Sequence, residues 1–130
     1  MNLKQIQKMS DNDLMIRVAE LGGWERGPKE DIKIAGLGIL AAKGMCWHKK
    51  EEEDNWQDNP PDFPNDLNAM HKVEEKYLRT AVMRARYQEN LCEVLRKEYP
   101  KWTCTTYWFA TARQRAEAFV LTMEEKRHEN

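Results

Sequence analysis

Glycine does not occur after Gly44, and four of the five prolines precede residue 65. The second half of this 130-residue chain therefore lacks the usual breakers of regular structure, which excludes a turn-rich β architecture there and favours helices. Cysteine is scarce as well: Cys46, Cys92 and Cys104 are an odd set without a C-x-x-C spacing. A disulfide framework is not expected, nor a zinc site, although Cys46 and His48 would share one face of a strand. No long hydrophobic run exists, the longest stretch without a polar side chain being Ile34 to Ala42, too short to cross a bilayer. The first residues carry no apolar stretch of the secretory kind, so a soluble, cytoplasmic protein with no membrane partner is expected. Charge of one sign is missing too. Basic side chains number 21 and acidic ones 22, giving a net charge of −1, which argues against nucleic acid as a partner and against coating of anionic lipid. No internal repeat recurs, and the length fits one domain, residues 1–130, with one buried core.

What is present reads mainly as helix. Ser10, followed by Asp13, is a helix start, and Leu14, Val18 and Leu21 recur at helical spacing before Gly22-Gly23 ends the segment, predicting a helix over 11–21. Leu3 and Ile6 anchor at most one turn before it. After Pro64, Asn65 or Asp66 can cap a helix running to about residue 77, with Leu67, Met70, Val73 and Tyr77 on one face. Met83, Tyr87, Leu91 and Val94 mark a second set, continuous with the first or separated from it by a kink near Thr80. Thr111 with Gln114 forms a capping box for a last helix to about residue 126. Alternation at Ile32 and Ile34 and at Met45 and Trp47 predicts short strands, and the β-branched and aromatic run 101–109 predicts a central one, with Trp102, Cys104 and Trp108 on one face. Glu51 to Asp54 reads as a solvated loop. The expected fold is α+β, a small antiparallel sheet sandwiched or covered by helices.

Nothing in the sequence spells out a reaction. Gly36-Leu37-Gly38 lacks the further residues of a phosphate loop and reads as a turn. Five tryptophans are many for this length; Trp102 and Trp108 read as core, whereas Trp24, Trp47 and Trp56 lie in the irregular middle where a ring can line a pocket and stack on a ligand. Arg113 and Arg115 stand in the first turn of the last helix, where positive charge opposes the dipole and needs compensation from a ligand phosphate, an acidic partner, or Glu117 and the carboxylates near 62–66. Asp62, Asn65, Asp66 and Asn68 set a helix start first and form a pocket edge second.

The order of these pieces resembles the phage α/β/α-sandwich family, small proteins of bacteriophages and prophages. The resemblance rests on Asp13 to Glu20 with Gly23-Trp24, on Pro61-Asp62-Phe63 with Asn65 to Met70, and on Phe109-Ala110-Thr111-Ala112 leading into Gln114 to Ala118. It spans about residues 10 to 126 and departs from the family between 27 and 46. It implies an α/β/α sandwich and a host-cell cytoplasmic setting, and it carries no catalytic residues over. The reading is a non-enzymatic binding protein without cofactor or metal that modulates a host process, with anti-defence action as the specific form. Its expected partner is a nucleotide-like small molecule or a host protein, with a homodimer as a further expectation from uncovered strand edges. A small hydrolase or transferase working through Asp62 and Asp66 is the alternative, and a DNA-associated accessory factor a third.

Overall fold

The computed structural model describes residues 1–28, 45–49, 57, 59–96 and 110–128. In chain order the described elements are α1 (Leu3–Gln7), α2 (Asp11–Leu21), β1 (Trp24–Pro28), β2 (Met45–Lys49), α3 (Leu67–Tyr77), α4 (Ala81–Leu95) and α5 (Ala112–His128). The architecture is α+β, mostly helical with a two-stranded antiparallel sheet. The expected strands at 32–34 and 101–109, the turn at 36–38, the loop at 51–54, and Trp56, Trp102, Cys104 and Trp108 lie outside the described residues.

Side-chain caps set the helix starts. Ser10 Oγ accepts from the Asp13 amide (3.1 Å) at the head of α2, and Asp66 Oδ1 accepts from the Ala69 amide (3.2 Å) at the head of α3. The segment after Pro64 is two helices rather than one: Leu78 to Thr80 separate them, and Thr80 Oγ1 accepts from the Met83 amide (3.1 Å) to start α4. Thr111 and Gln114 exchange two hydrogen bonds, at 2.9 and 3.1 Å, in the reciprocal box that the sequence predicts. Such caps satisfy amides that the first turn leaves without carbonyl partners. Even α1 is boxed, by Asn2 and Gln5, and pins Ile6 into the core.

The core sits around α5, which packs against α1, α2, α3 and α4. Ala116, Ala118, Phe119, Val120 and Thr122 are all fully buried, so this helix is covered around most of its circumference. Buried polar groups on it are paired. Thr122 Oγ1 donates to Ala118 O (2.8 Å) and accepts from Asn90 Nδ2 of α4 (2.9 Å), while Glu124 takes Arg17 of α2. No described helix is long and apolar enough to cross a membrane.

The sheet follows α2 through a tight turn. Trp24 stands opposite Lys49 and Arg26 opposite Trp47, and Trp47 exchanges two further backbone hydrogen bonds of 2.7 Å with Gln57. Gly23 makes the turn possible: its φ is +84°, and a Cβ there would run into the Tyr77 hydroxyl. Both the backbone conformation and the close approach require glycine. Gly23→Ala is expected to cost about 2 kcal/mol, read as a lower urea midpoint, and an unchanged midpoint would show that the turn relaxes freely.

Candidate functional site

The sheet and α3 face each other across a cleft of about 280 Å³. Trp24 enters from β1, Tyr77 from the last turn of α3, and Phe63 from the proline-bounded turn that leads to α3. Three lysines join them. Lys49 lies directly across the sheet from Trp24 and holds its Nζ 5.6 Å from the centre of that ring; Lys76 does the same over Tyr77, also at 5.6 Å. Lys72 precedes Lys76 by one helical turn, so α3 presents both on the face that carries Val73 and Tyr77.

Aromatic faces and ammonium groups attract each other through the ring quadrupole, and here that attraction concentrates cations over two flat surfaces. The acidic group on the lining, Asp66, spends an oxygen on the Ala69 amide as a helix cap. The lysines suit the cleft to an anionic ligand; Trp24, at 5% exposure, is as buried as a core residue, and Tyr77 is the more exposed of the two rings. Tyr77 is kept in place from behind by Phe119, whose ring meets it edge-on at 6.4 Å and 73°.

The expected site residues divide among several places. Trp24, Asp66 and Asn68 line the cleft. Trp47 is 4% exposed and lies under the Arg26 guanidinium at 5.8 Å, in the core rather than on the cleft lining. Trp56 lies outside the described residues. Asp62 and Asn65 belong to an ion-pair network beyond the cleft: Asn65 Nδ2 donates to both Asp62 oxygens (3.2 Å each) and approaches Asp11 Oδ2 (3.4 Å). Asp11 in turn is the ion-pair partner of Arg113, which also donates to the carbonyls of Met9 (2.6 Å) and Gln7 (3.3 Å). The compensation that Arg113 needs at the head of α5 thus comes from Asp11, with Glu117 at 3.8 Å, and from carbonyls at the end of α1. Arg115 points elsewhere, to Glu74 of α3 at 3.1 Å. The two arginines do not converge on one ligand. His48 faces Glu25 (3.4 Å) and the Lys49 carbonyl (3.1 Å), and among the described residues no three of His, Cys, Asp and Glu gather as metal ligands.

The Arg113 guanidinium holds the Asp11 carboxyl below its usual range, and the Asn65 amide pulls in the same direction against a smaller effect of desolvation than of Arg113. A carboxyl lowered in the folded state adds stability above its unfolded value, and that addition disappears as pH falls through the folded value. Wild type is therefore expected to lose stability more steeply than Asp11→Asn between roughly pH 4 and pH 2, measured as urea midpoints across that window. Parallel curves would mean that the pair contributes nothing.

Lys49, Lys72 and Lys76 were not among the residues singled out from sequence, and Tyr77 was read only as part of a helix's apolar face. A usable signal existed for two of them, since Lys72 and Lys76 recur one turn apart beside the apolar stripe; Lys49 becomes visible only through the strand register. No family model, no curated protein and no solved structure matches this chain.

Proposed function

We propose that the chain is a small phage- or prophage-encoded accessory protein of the α/β/α-sandwich kind that acts by binding, without catalysis, and holds a nucleotide-like ligand in the cleft between the sheet and α3. The observation that carries this reading is the meeting of Lys49, Lys72 and Lys76 with the half-buried ring of Tyr77, and with Trp24 behind Lys49, around one small cavity. A base needs a ring to stack on, and a phosphate needs cations; the cleft offers both within the size of a small ligand site. Sequestering such a ligand inside a host cell would be the anti-defence form of the activity.

Isothermal titration with mononucleotides and cyclic nucleotides tests it. Saturable, salt-sensitive binding is expected, weakened about tenfold, or about 1.4 kcal/mol, in Lys72→Gln, a change at an exposed position that leaves the core alone. No binding at millimolar nucleotide, or affinity indifferent to Lys72→Gln, rejects the reading. Recovery of the ligand unchanged after long incubation is expected; a converted product, lost in Asp62→Asn, would establish the hydrolase alternative instead.

A further inference from the structure

The cleft between the sheet and α3 is small for a whole nucleotide. Sites that enclose an organic ligand commonly measure roughly 300 to 1,000 Å³, and this one measures about 280 Å³, so one part of the ligand fills it and the rest stays at the mouth. The walls decide which part enters. Trp24 is 5% exposed and carries the Lys49 ammonium 5.6 Å from its ring centre, so an incoming base finds no open face on it. Tyr77 is half-buried, with Phe119 at its edge and the Lys76 ammonium over its ring, also at 5.6 Å. Both rings serve first as seats for cations. A ligand therefore meets ammonium before it meets an aromatic face, and its anionic part is the one that enters.

The ammonium groups come from two walls. Lys72 and Lys76 stand one turn apart on α3, and Lys49 stands on β2 across the cleft. Neither Lys49 nor Lys72 is ion-paired among the described residues. The carboxylates of α3 are held away from them. Asp66, at the cap, lies about 9 Å from Lys72 and 15 Å from Lys76 along the axis, counted at 1.5 Å per residue, and exposed charges are screened within about 8 Å at physiological ionic strength. Glu74 and Glu75 lie on the other side of the helix, along a second cleft of about 440 Å³ that opens toward α4. A phosphate monoester brings a charge of about −1.5 to −2, which leaves one of the three ammonium groups without a counter-charge. A second phosphate supplies it, and two linked phosphates reach both walls where a single one serves one.

We propose that the cleft is a diphosphate subsite: it takes a nucleoside diphosphate with the α-phosphate on Lys72 and Lys76, the β-phosphate on Lys49, and the base at the mouth. This rests on the nucleotide reading and adds that the number of phosphates, rather than the identity of the base, is what the site selects. Isothermal titration of the full chain with ADP, GDP, AMP, adenosine and inorganic pyrophosphate tests it, in magnesium-free buffer because that ion would itself take the phosphates. ADP and GDP are expected to bind with affinities within about threefold of each other and about tenfold or more tighter than AMP, with pyrophosphate within about tenfold of ADP and adenosine silent. Lys49→Gln is expected to bring ADP down to the affinity of AMP while leaving AMP as in wild type, and Lys49→Arg, which keeps the charge, to retain the preference for ADP. Urea midpoints show whether both variants are folded, and the ligand series on the wild-type chain is decisive without them. AMP binding as tightly as ADP, affinities that follow the base, or an unchanged ADP preference in folded Lys49→Gln overturns the diphosphate subsite and leaves the nucleotide reading standing. Pyrophosphate binding without any nucleotide binding overturns the nucleotide reading and assigns the lysine walls to inorganic diphosphate. Silence from every ligand removes both.

Discussion

Replacing Phe119 with alanine is expected to lower the unfolding free energy by about 4 kcal/mol, roughly a third to a half of what a domain of this kind commonly has. Phe119 is the largest fully buried side chain among the described residues, and it lies on the helix against which every other described helix packs. Its removal leaves a cavity that several elements must collapse into at once, and elements that carry well-formed caps at their own ends resist that movement. The second consequence is local. Tyr77 would lose the ring that braces it edge-on, so nucleotide affinity should fall more than it does for a core truncation remote from the cleft. Urea denaturation gives the first number and titration of the folded fraction the second; a loss below about 1 kcal/mol would mean that the centre of the core lies elsewhere.

Arg115→Met is expected to cost about 3 kcal/mol, because it strands the Glu74 carboxylate in a place where water reaches it poorly. The two side chains are only 12% and 14% exposed and meet at 3.1 Å. Most of that loss should return in the double variant Arg115→Met with Glu74→Leu, leaving a net change of about 1 kcal/mol or less, since the cost lies in the orphaned charge rather than in the absent attraction. The position of Arg115 in the first turn of α5 works in the same direction, as its charge opposes the helix dipole there. A double variant as unstable as the single one would contradict this account and assign the loss to packing by the arginine stem.

The helices were legible because their signals are local. Ser10, Thr80 and Thr111 are each followed within one turn by the amide that they cap, and Leu14 with Val18, or Met83 with Tyr87 and Leu91, repeat at a period that one helix can satisfy by itself. Partnerships over long sequence distance were not legible. Arg113 finds Asp11 and Arg115 finds Glu74, pairs that depend on how helices cross, and no spacing encodes a crossing. The same limit applies to the cleft. Trp24 was a candidate on composition, but the lysines that give it a binding character come from the strand opposite and from a helix more than forty residues downstream. Trp47 shows the converse: its place in the irregular middle suggested a ring lining a pocket, while the strand register sets it opposite Arg26, whose guanidinium lies over it.

A single helix, α3, forms one wall of both cavities: Lys72 and Lys76 look into one, Glu74 and Glu75 into the other. An occupant of either cavity that displaced this common partition would change the hold on an occupant of the other, and by linkage the factor would be the same in both directions. This eleven-residue rod, with an aspartate at its head and a three-residue joint at its foot, is moored to α5 by Tyr77 against Phe119 and by Glu74 against Arg115.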